Sequence, residues 1–275
     1  MKRISYLLLI LSIFLSCKSK TGDNDQDTTA AGKPLDQTQA LLQQFKPLIN
    51  GVWIKKDYIK KVKKSKSPLE AVDKGKGITV MYIDTAQLKG DSIMVPIILN
   101  NHEGSTIALR FQSGKNTTTI EFGDDELSYK VKNDDTTLII YNYNSQTKET
   151  TTTQYIRALQ PKPADGLASA MNYMINHAML SGKYEGTDAT GKKISAVFYD
   201  NGKVSGLPGF TTYYVQNDLI ADPERSGHDQ IIFNLNTKEK KVYSFIINKR
   251  TLTLYNDAEQ IKSNKPSYTL KKKRE

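Results

Sequence analysis

Apolar positions in this chain fall into short runs broken by clusters of turn-forming residues, a spacing that predicts strands rather than long helices. In the first half the runs lie at 52–56, 78–83, 92–99, 106–112, 117–122, 127–132, 136–143 and 151–157. Asn100-Asn101-His102-Glu103-Gly104, Ser113-Gly114-Lys115-Asn116 and Asn133-Asp134-Asp135 separate them and read as turns. In the second half strands are predicted at 194–199, 203–205, 211–215, 230–235, 241–247, 251–255 and 267–271. Asp200-Asn201-Gly202 is a hairpin signal between the first two, because Asn and Gly accept positive φ. Consecutive short strands at this spacing predict antiparallel meanders, and closing a meander into a barrel removes the exposed edges of an open sheet.

Helical periodicity precedes each strand-rich half. Leu41, Leu42, Phe45, Leu48 and Ile49 carry it in the first; Leu167, Met171, Met174, Ile175 and Ala178 carry it in the second, after a candidate N-cap at Asp165. A further short helix is expected at 58–64. The halves also open alike: Leu48-Ile49-Asn50-Gly51-Val52-Trp53 parallels Met179-Leu180-Ser181-Gly182-Lys183-Tyr184. Tyr155-Ile156-Arg157 and Tyr268-Thr269-Leu270 are matched as their closing strands. The expected fold is therefore mainly β, two tandem antiparallel barrels with a short linking helix, in domains 35–160 and 161–275. The methionine stripe Met171, Met174 and Met179 is expected to pack within the protein, against a barrel end or between two barrels.

Residues 1–34 follow a different pattern. Lys2 and Arg3 precede the apolar run Tyr6 to Leu15, which is shorter than the ~18 residues a spanning helix needs, and Phe14-Leu15-Ser16 then leads into Cys17. This segment resembles the signal peptide and lipobox of bacterial lipoproteins. The resemblance implies removal of residues 1–16, acylation of Cys17 and a protein held on a membrane by its amino terminus. Several acyl chains on one residue anchor firmly, since each buried methylene contributes about 0.8 kcal/mol. Residues 17–34 lack large apolar side chains and read as a disordered tether. Asp23, Asp25 and Asp27 within it resemble export signals of surface lipoproteins in Bacteroidetes-type bacteria, so the expected address is the outer membrane, on its periplasmic or outward face.

Cys17 is the only cysteine, so its acylation leaves the mature chain without disulfides, thiolate metal sites or a cysteine nucleophile. His102, His177 and His228 stand at no metal-ligand spacing from one another, and no Gly-x-Ser-x-Gly elbow, Walker loop or cofactor motif is present. No catalytic residue, metal ligand or cofactor is assigned, and the expected role is non-enzymatic. Arg225 and His228, in the polar loop 218–229, are the ligand-binding candidates, because loops carry function while a barrel positions them. Net charge is +10, and loss of Lys2 and Arg3 removes two positive charges. Lysines concentrate at Lys55, Lys56, Lys60, Lys61, Lys63, Lys64 and Lys66 and again at Lys271, Lys272, Lys273 and Arg274, a chemistry that suits anionic lipid, lipopolysaccharide phosphate or acidic glycan. An exported chain without an aromatic-basic motif is a poor nucleic-acid binder.

Gly51-Val52-Trp53 on the first strand, the short helix after it and the following up-and-down strands resemble the lipocalin or calycin family; the unit from Gly182-Lys183-Tyr184 onward resembles a shorter lipocalin-like domain. That resemblance implies that Trp53, and Tyr184 in its place in the second unit, pack structurally at a barrel base. It also implies a small apolar ligand inside a barrel. The other expected role is binding of a partner protein or an anionic envelope polymer by solid barrels.

Overall fold

The computed structural model describes residues 36–160, 166–218 and 227–274, and Asp36 onward forms one compact unit. Helix α1 (Gln37–Ile49) leads into β1 (Gly51–Lys55), which runs directly into α2 (Lys56–Ser65) and a 3₁₀ turn at Leu69–Gly75. Strands β2 (Ile78–Ile83), β3 (Ser92–Leu99), β4 (Glu103–Ser113), β5 (Ile120–Phe122), β6 (Asp125–Lys132), β7 (Asp135–Tyr143) and β8 (Thr150–Arg157) follow. Helix α3 (Ala168–Met179) joins them to β9 (Gly182–Asp188), β10 (Lys193–Phe198), β11 (Val204–Ser205), β12 (Tyr213–Val215), β13 (Gln230–Phe233), β14 (Lys241–Asn248) and β15 (Thr251–Tyr255). The short helix α4 (Ala258–Lys262) and β16 (Tyr268–Lys272) end the fold.

Strands β1 to β8 pair antiparallel in chain order and β8 returns to β1, which closes a barrel. The second set is also an eight-stranded meander, with β9 hydrogen-bonded to both β10 and β16. Its remaining seam, between β11 and β12, is held by a Lys203–Thr212 bridge and by the amides of Val204 and Tyr213 donating to Thr211 and Gly202. The protein is thus mainly β, with two tandem barrels, as the strand spacing predicts. The predicted hairpin at Asp200-Asn201-Gly202 forms, with Gly202 at φ +78°. Asp165 and the residues 1–35 lie outside the described residues; α3 begins after Leu167, with the Ser169 hydroxyl donating to the Gly166 carbonyl.

Strict alternation fills the first barrel. Ile93, Val95 and Ile97 of β3 are buried while Met94 between them is 62% exposed. With Trp53, Met81, Leu109, Phe111, Ile120, Phe122, Leu127, Leu138, Ile140 and Tyr155 they form one core, completed by Leu41, Phe45 and Ile49 of α1. Phe45 meets Tyr129 of β6 edge to face at 5.1 Å. Strand β1 departs from alternation because it is buried on both sides. Val52 and Ile54, with Val80 of β2, turn outward into a second core. That core contains Tyr58, Ile59 and Val62 of α2, Met171, Met174 and Met179 of α3, and the interior of the second barrel. The methionine stripe is therefore buried between the barrels, and α3 is part of a continuous core.

The repeat is visible in atomic detail. Trp53 Nε1 donates to the Ile49 carbonyl at 2.7 Å, and Tyr184 Oη donates to the Leu180 carbonyl at the same distance. Each aromatic thereby satisfies a carbonyl left free at a helix C-terminus, four residues back. Pairing register corrects the match at the closing strands. Trp53 faces Arg157 and Tyr184 faces Lys272, so Arg157 corresponds to Lys272, and Tyr155 to Leu270 rather than Tyr268. The Arg157 guanidinium lies 4.4 Å from the Trp53 ring centroid and donates to the Leu48 carbonyl at 2.8 Å and to that of Asn50.

Candidate functional site

Both barrel interiors are occupied by their own side chains. In the second, Tyr184, Phe198, Tyr213, Phe233 and Tyr243 form a chain of ring contacts between 5.2 and 6.5 Å, and Phe210 stacks on Phe233 at 4.5 Å. Burial raises the pKa values of Tyr155, Tyr184 and Tyr213 well above the ordinary phenol value, and each hydroxyl donates to a backbone carbonyl, of Ile78, Leu180 and Tyr199. These groups hold structure. Features that can meet a partner lie on the outside and at the seam between the barrels.

Polar contacts fasten that seam. Asn101 Nδ2 donates to the Asn217 carbonyl at 3.3 Å, His102 Nδ1 lies 2.5 Å from the Asp218 carboxylate, and the Leu69 amide donates to Asp229 at 2.9 Å. Lys66, in the left-handed conformation that ends α2, reaches across to donate to the Ala178 carbonyl in the last turn of α3 at 2.6 Å. A cation is favourable there because the carbonyl end of a helix carries partial negative charge.

Lys66 also shows where the basic residues come together. Its pKa is lowered by burial first, then by repulsion from Lys272 of β16 and from Lys63. The two basic runs stand at opposite ends of the folded chain, and the fold brings them side by side. On α2, Tyr58, Ile59 and Val62 face the core, which leaves Lys60, Lys63 and Lys64 exposed on the other side at helical spacing. Some acids offset this charge: Asp57 is the only one on α2, Asp73 pairs with Lys74 at 3.1 Å, and Glu185 of β9 pairs with Lys273 and faces Lys271. Sequence reading located both runs, but their meeting depends on how β16 closes against β9 and was not legible.

Of the loop candidates, His228 is half-buried in a shallow cleft of about 270 Å³ between the barrels, with Ser67, Glu70 and Phe245 among its neighbours. Arg225 and Cys17 lie outside the described residues. His102, His177 and His228 occupy three separate places, and among the described residues no three His, Cys, Asp or Glu side chains gather as a metal site would require. Among the described residues no helix is long and apolar enough to cross a membrane.

A second cleft, about 290 Å³, was not anticipated. It lies where Gln160 and α3 meet the β10–β11 hairpin, and Asn172, Tyr173, Asn176, Asp200 and Tyr214 line it. The Asn176 amide donates to the Asp200 carbonyl at 2.9 Å and so fixes the hairpin against the helix; His177 Nδ1 stands 3.2 Å from the Asp200 carboxylate. The sequence signal available was the amide-rich face of α3 at Asn172 and Asn176, which the hydrophobic pattern of the same helix overshadowed.

The fold and these surfaces define a two-barrel β protein with a basic outer face. No protein-family model matches the chain, and no curated protein or solved structure does so either.

Proposed function

We propose that this chain is a lipid-anchored cell-envelope protein, acylated at Cys17, whose solid barrels bind an anionic envelope polymer through the basic face of α2 and β16. The observation that carries the reading is that Lys66 reaches the Ala178 carbonyl at the end of α3 while Lys272 of β16 packs over Gly182 just beyond it, which assembles positive charge from both barrels. Such a face lowers its own electrostatic energy when phosphate or carboxylate groups dock on it. Binding is non-enzymatic in this reading.

The filled interiors favour it over a carrier of small apolar ligands: side chains as large as Trp53, Phe111, Phe122, Phe198 and Phe233 are fully buried in the barrels. A dry protein–protein contact is less well supported: Met94, Val131, Tyr143, Leu159 and Tyr199 sit on separate elements, and only Val242 and Ile246 share a strand, the outer face of β14. The proposed anchor and basic face act together, since a tethered protein meets an anionic polymer at high effective concentration.

The test is binding of the mature chain to lipopolysaccharide across a salt series. Affinity should fall steeply as salt rises, because screening weakens exposed charge contacts. Salt-independent binding, or none at low salt, would refute the reading. Solvent extraction of natively expressed protein followed by mass spectrometry separates the rival: a stoichiometric lipophilic molecule would support the carrier.

A further inference from the structure

Two Asn-Gly steps occur in the chain, at Asn50-Gly51 and Asn201-Gly202. Such a step exposes an asparagine side chain to attack by its own backbone, because glycine has no Cβ to hinder the approach of its nitrogen. In that reaction the Gly nitrogen bonds to the Asn Cγ, the Cγ–NH₂ bond breaks, and the NH₂ group leaves as ammonia with the proton of the Gly amide. The succinimide so formed is opened by water at either carbonyl. One product is aspartate; the other is isoaspartate, whose main chain runs through the side-chain methylene.

Exposure does not separate the two sites, since both asparagines lie at the surface. Their hydrogen bonds do. Asn50 Oδ1 accepts from the amide and the hydroxyl of Thr85 at 3.0 and 3.1 Å, and the Arg157 guanidinium donates to the Asn50 backbone carbonyl. Gly51 is buried, opens β1 in register with Ile83, and lies under Arg157, whose Nη1 would stand 2.8 Å from a Cβ there. Side chain and reacting peptide plane are thus both fixed by other elements of the first barrel, and turning either toward the other breaks those bonds.

At Asn201 the corresponding bonds come from the turn itself. Asn201 Oδ1 accepts from the Lys203 amide at 3.1 Å, and the Gly202 amide donates to the Tyr199 carbonyl at 3.1 Å. Bonds from outside the turn fall on the carbonyls of Asp200 and Gly202, on either side of the reacting peptide plane: Asn176 Nδ2 donates to the first at 2.9 Å and the Tyr213 amide to the second at 2.7 Å. A hairpin tip opens locally at smaller cost than a barrel wall, and that opening frees the side chain and the attacking nitrogen together.

We infer that Asn201 is a site of spontaneous deamidation and isomerisation in the folded protein, while the first barrel protects Asn50. The consequence reaches the second barrel, because the Tyr213–Gly202 bond helps hold the seam between β11 and β12 and the Asn176–Asp200 bond docks the hairpin on α3. Isoaspartate at 201 lengthens the main chain by one carbon between those two anchored carbonyls, so the turn cannot keep both. Either product also places a new negative charge beside the Asp200 carboxylate. Modification therefore loosens the seam, and it does so whatever binds the basic face.

The experiment holds the mature chain at mildly alkaline pH and physiological temperature, natively and in denaturing urea, and follows isoaspartate at each Asn-Gly step by peptide mass spectrometry. In native protein Asn201 should convert at least tenfold faster than Asn50, and in urea the two rates should agree within threefold. The isoaspartate fraction should exchange the Tyr213 amide proton at least tenfold faster than unconverted protein, and faster than Asn201→Asp, which carries the charge without the added carbon. If Asn201→Asp does not fold, the comparison of converted with unconverted protein decides. No conversion at Asn201, a native rate no greater than that of Asn50, or an equal tenfold difference in urea would overturn the inference, as would converted protein whose Tyr213 exchange is unchanged.

Discussion

Trp53 and Tyr184 do the same work with different rings. Each is buried in a core and ends the preceding helix by donating to a carbonyl four residues back. Trp53→Ala should therefore lose about 3–5 kcal/mol in urea unfolding, because a fully buried indole leaves a volume its neighbours cannot close. Tyr184→Phe keeps the ring and removes only the hydroxyl, so a loss of about 0.5–1.5 kcal/mol is expected. Gly186 is a sterner constraint. A Cβ there would stand 1.8 Å from the Thr269 carbonyl oxygen on the neighbouring strand, and Gly186→Ala should destabilise by about 1–3 kcal/mol or more as β9 and β16 are forced apart. Unchanged unfolding in that variant would show that the two strands are not so closely apposed.

At the scale of elements, the chain's pattern reads through where one face of a strand is buried and fades where other forces act. Strand β3 matches its predicted bounds because Ile93, Val95 and Ile97 alternate with more exposed positions, and β2 matches as a nearly continuous buried run. Strand β9 carries no apolar run, since Glu185, Gly186, Thr187 and Asp188 offer almost no hydrophobic signal; only the repeat at Gly182-Lys183-Tyr184 marks its start. Lys66 and Lys272 could not be joined from sequence, because their meeting depends on the register of β16 against β9. The Asp200 cleft is hidden for a similar reason: turn residues mark the hairpin, but the apolar spacing of α3 does not show where Asn172 and Asn176 meet it. The buried tyrosines make a further expectation at this scale. Desolvation raises Tyr155, Tyr184 and Tyr213 in the folded barrels, so the native state keeps three protons that the unfolded chain releases near the ordinary phenol value of about 10. Stability from these groups is fully present below that pH and falls as pH rises through it, by up to about 1.4 kcal/mol per unit for each. Absorbance titration should show these phenols ionising only as the fold is lost; smooth titration of all fifteen tyrosines in intact protein would contradict the burial.

As a whole molecule, the protein joins two filled barrels through one continuous core, in which α3 and the outer wall of β1 are shared. The basic face spans that junction, so it belongs to neither barrel alone. In the proposed arrangement the acylated amino end supplies the membrane attachment: Cys17→Ala should leave unfolding unchanged and move the protein to the soluble fraction, and persistence with membranes would sink the anchor. The most direct test of the shared face is the affinity for lipopolysaccharide at low salt of Lys63→Glu, Lys272→Glu and the double variant. Each single change should weaken binding about five- to tenfold, on the order of 1 kcal/mol for every lysine at a charged surface, and the double variant should lose about the product. Full affinity in Lys272→Glu would contradict a binding face built from both barrels.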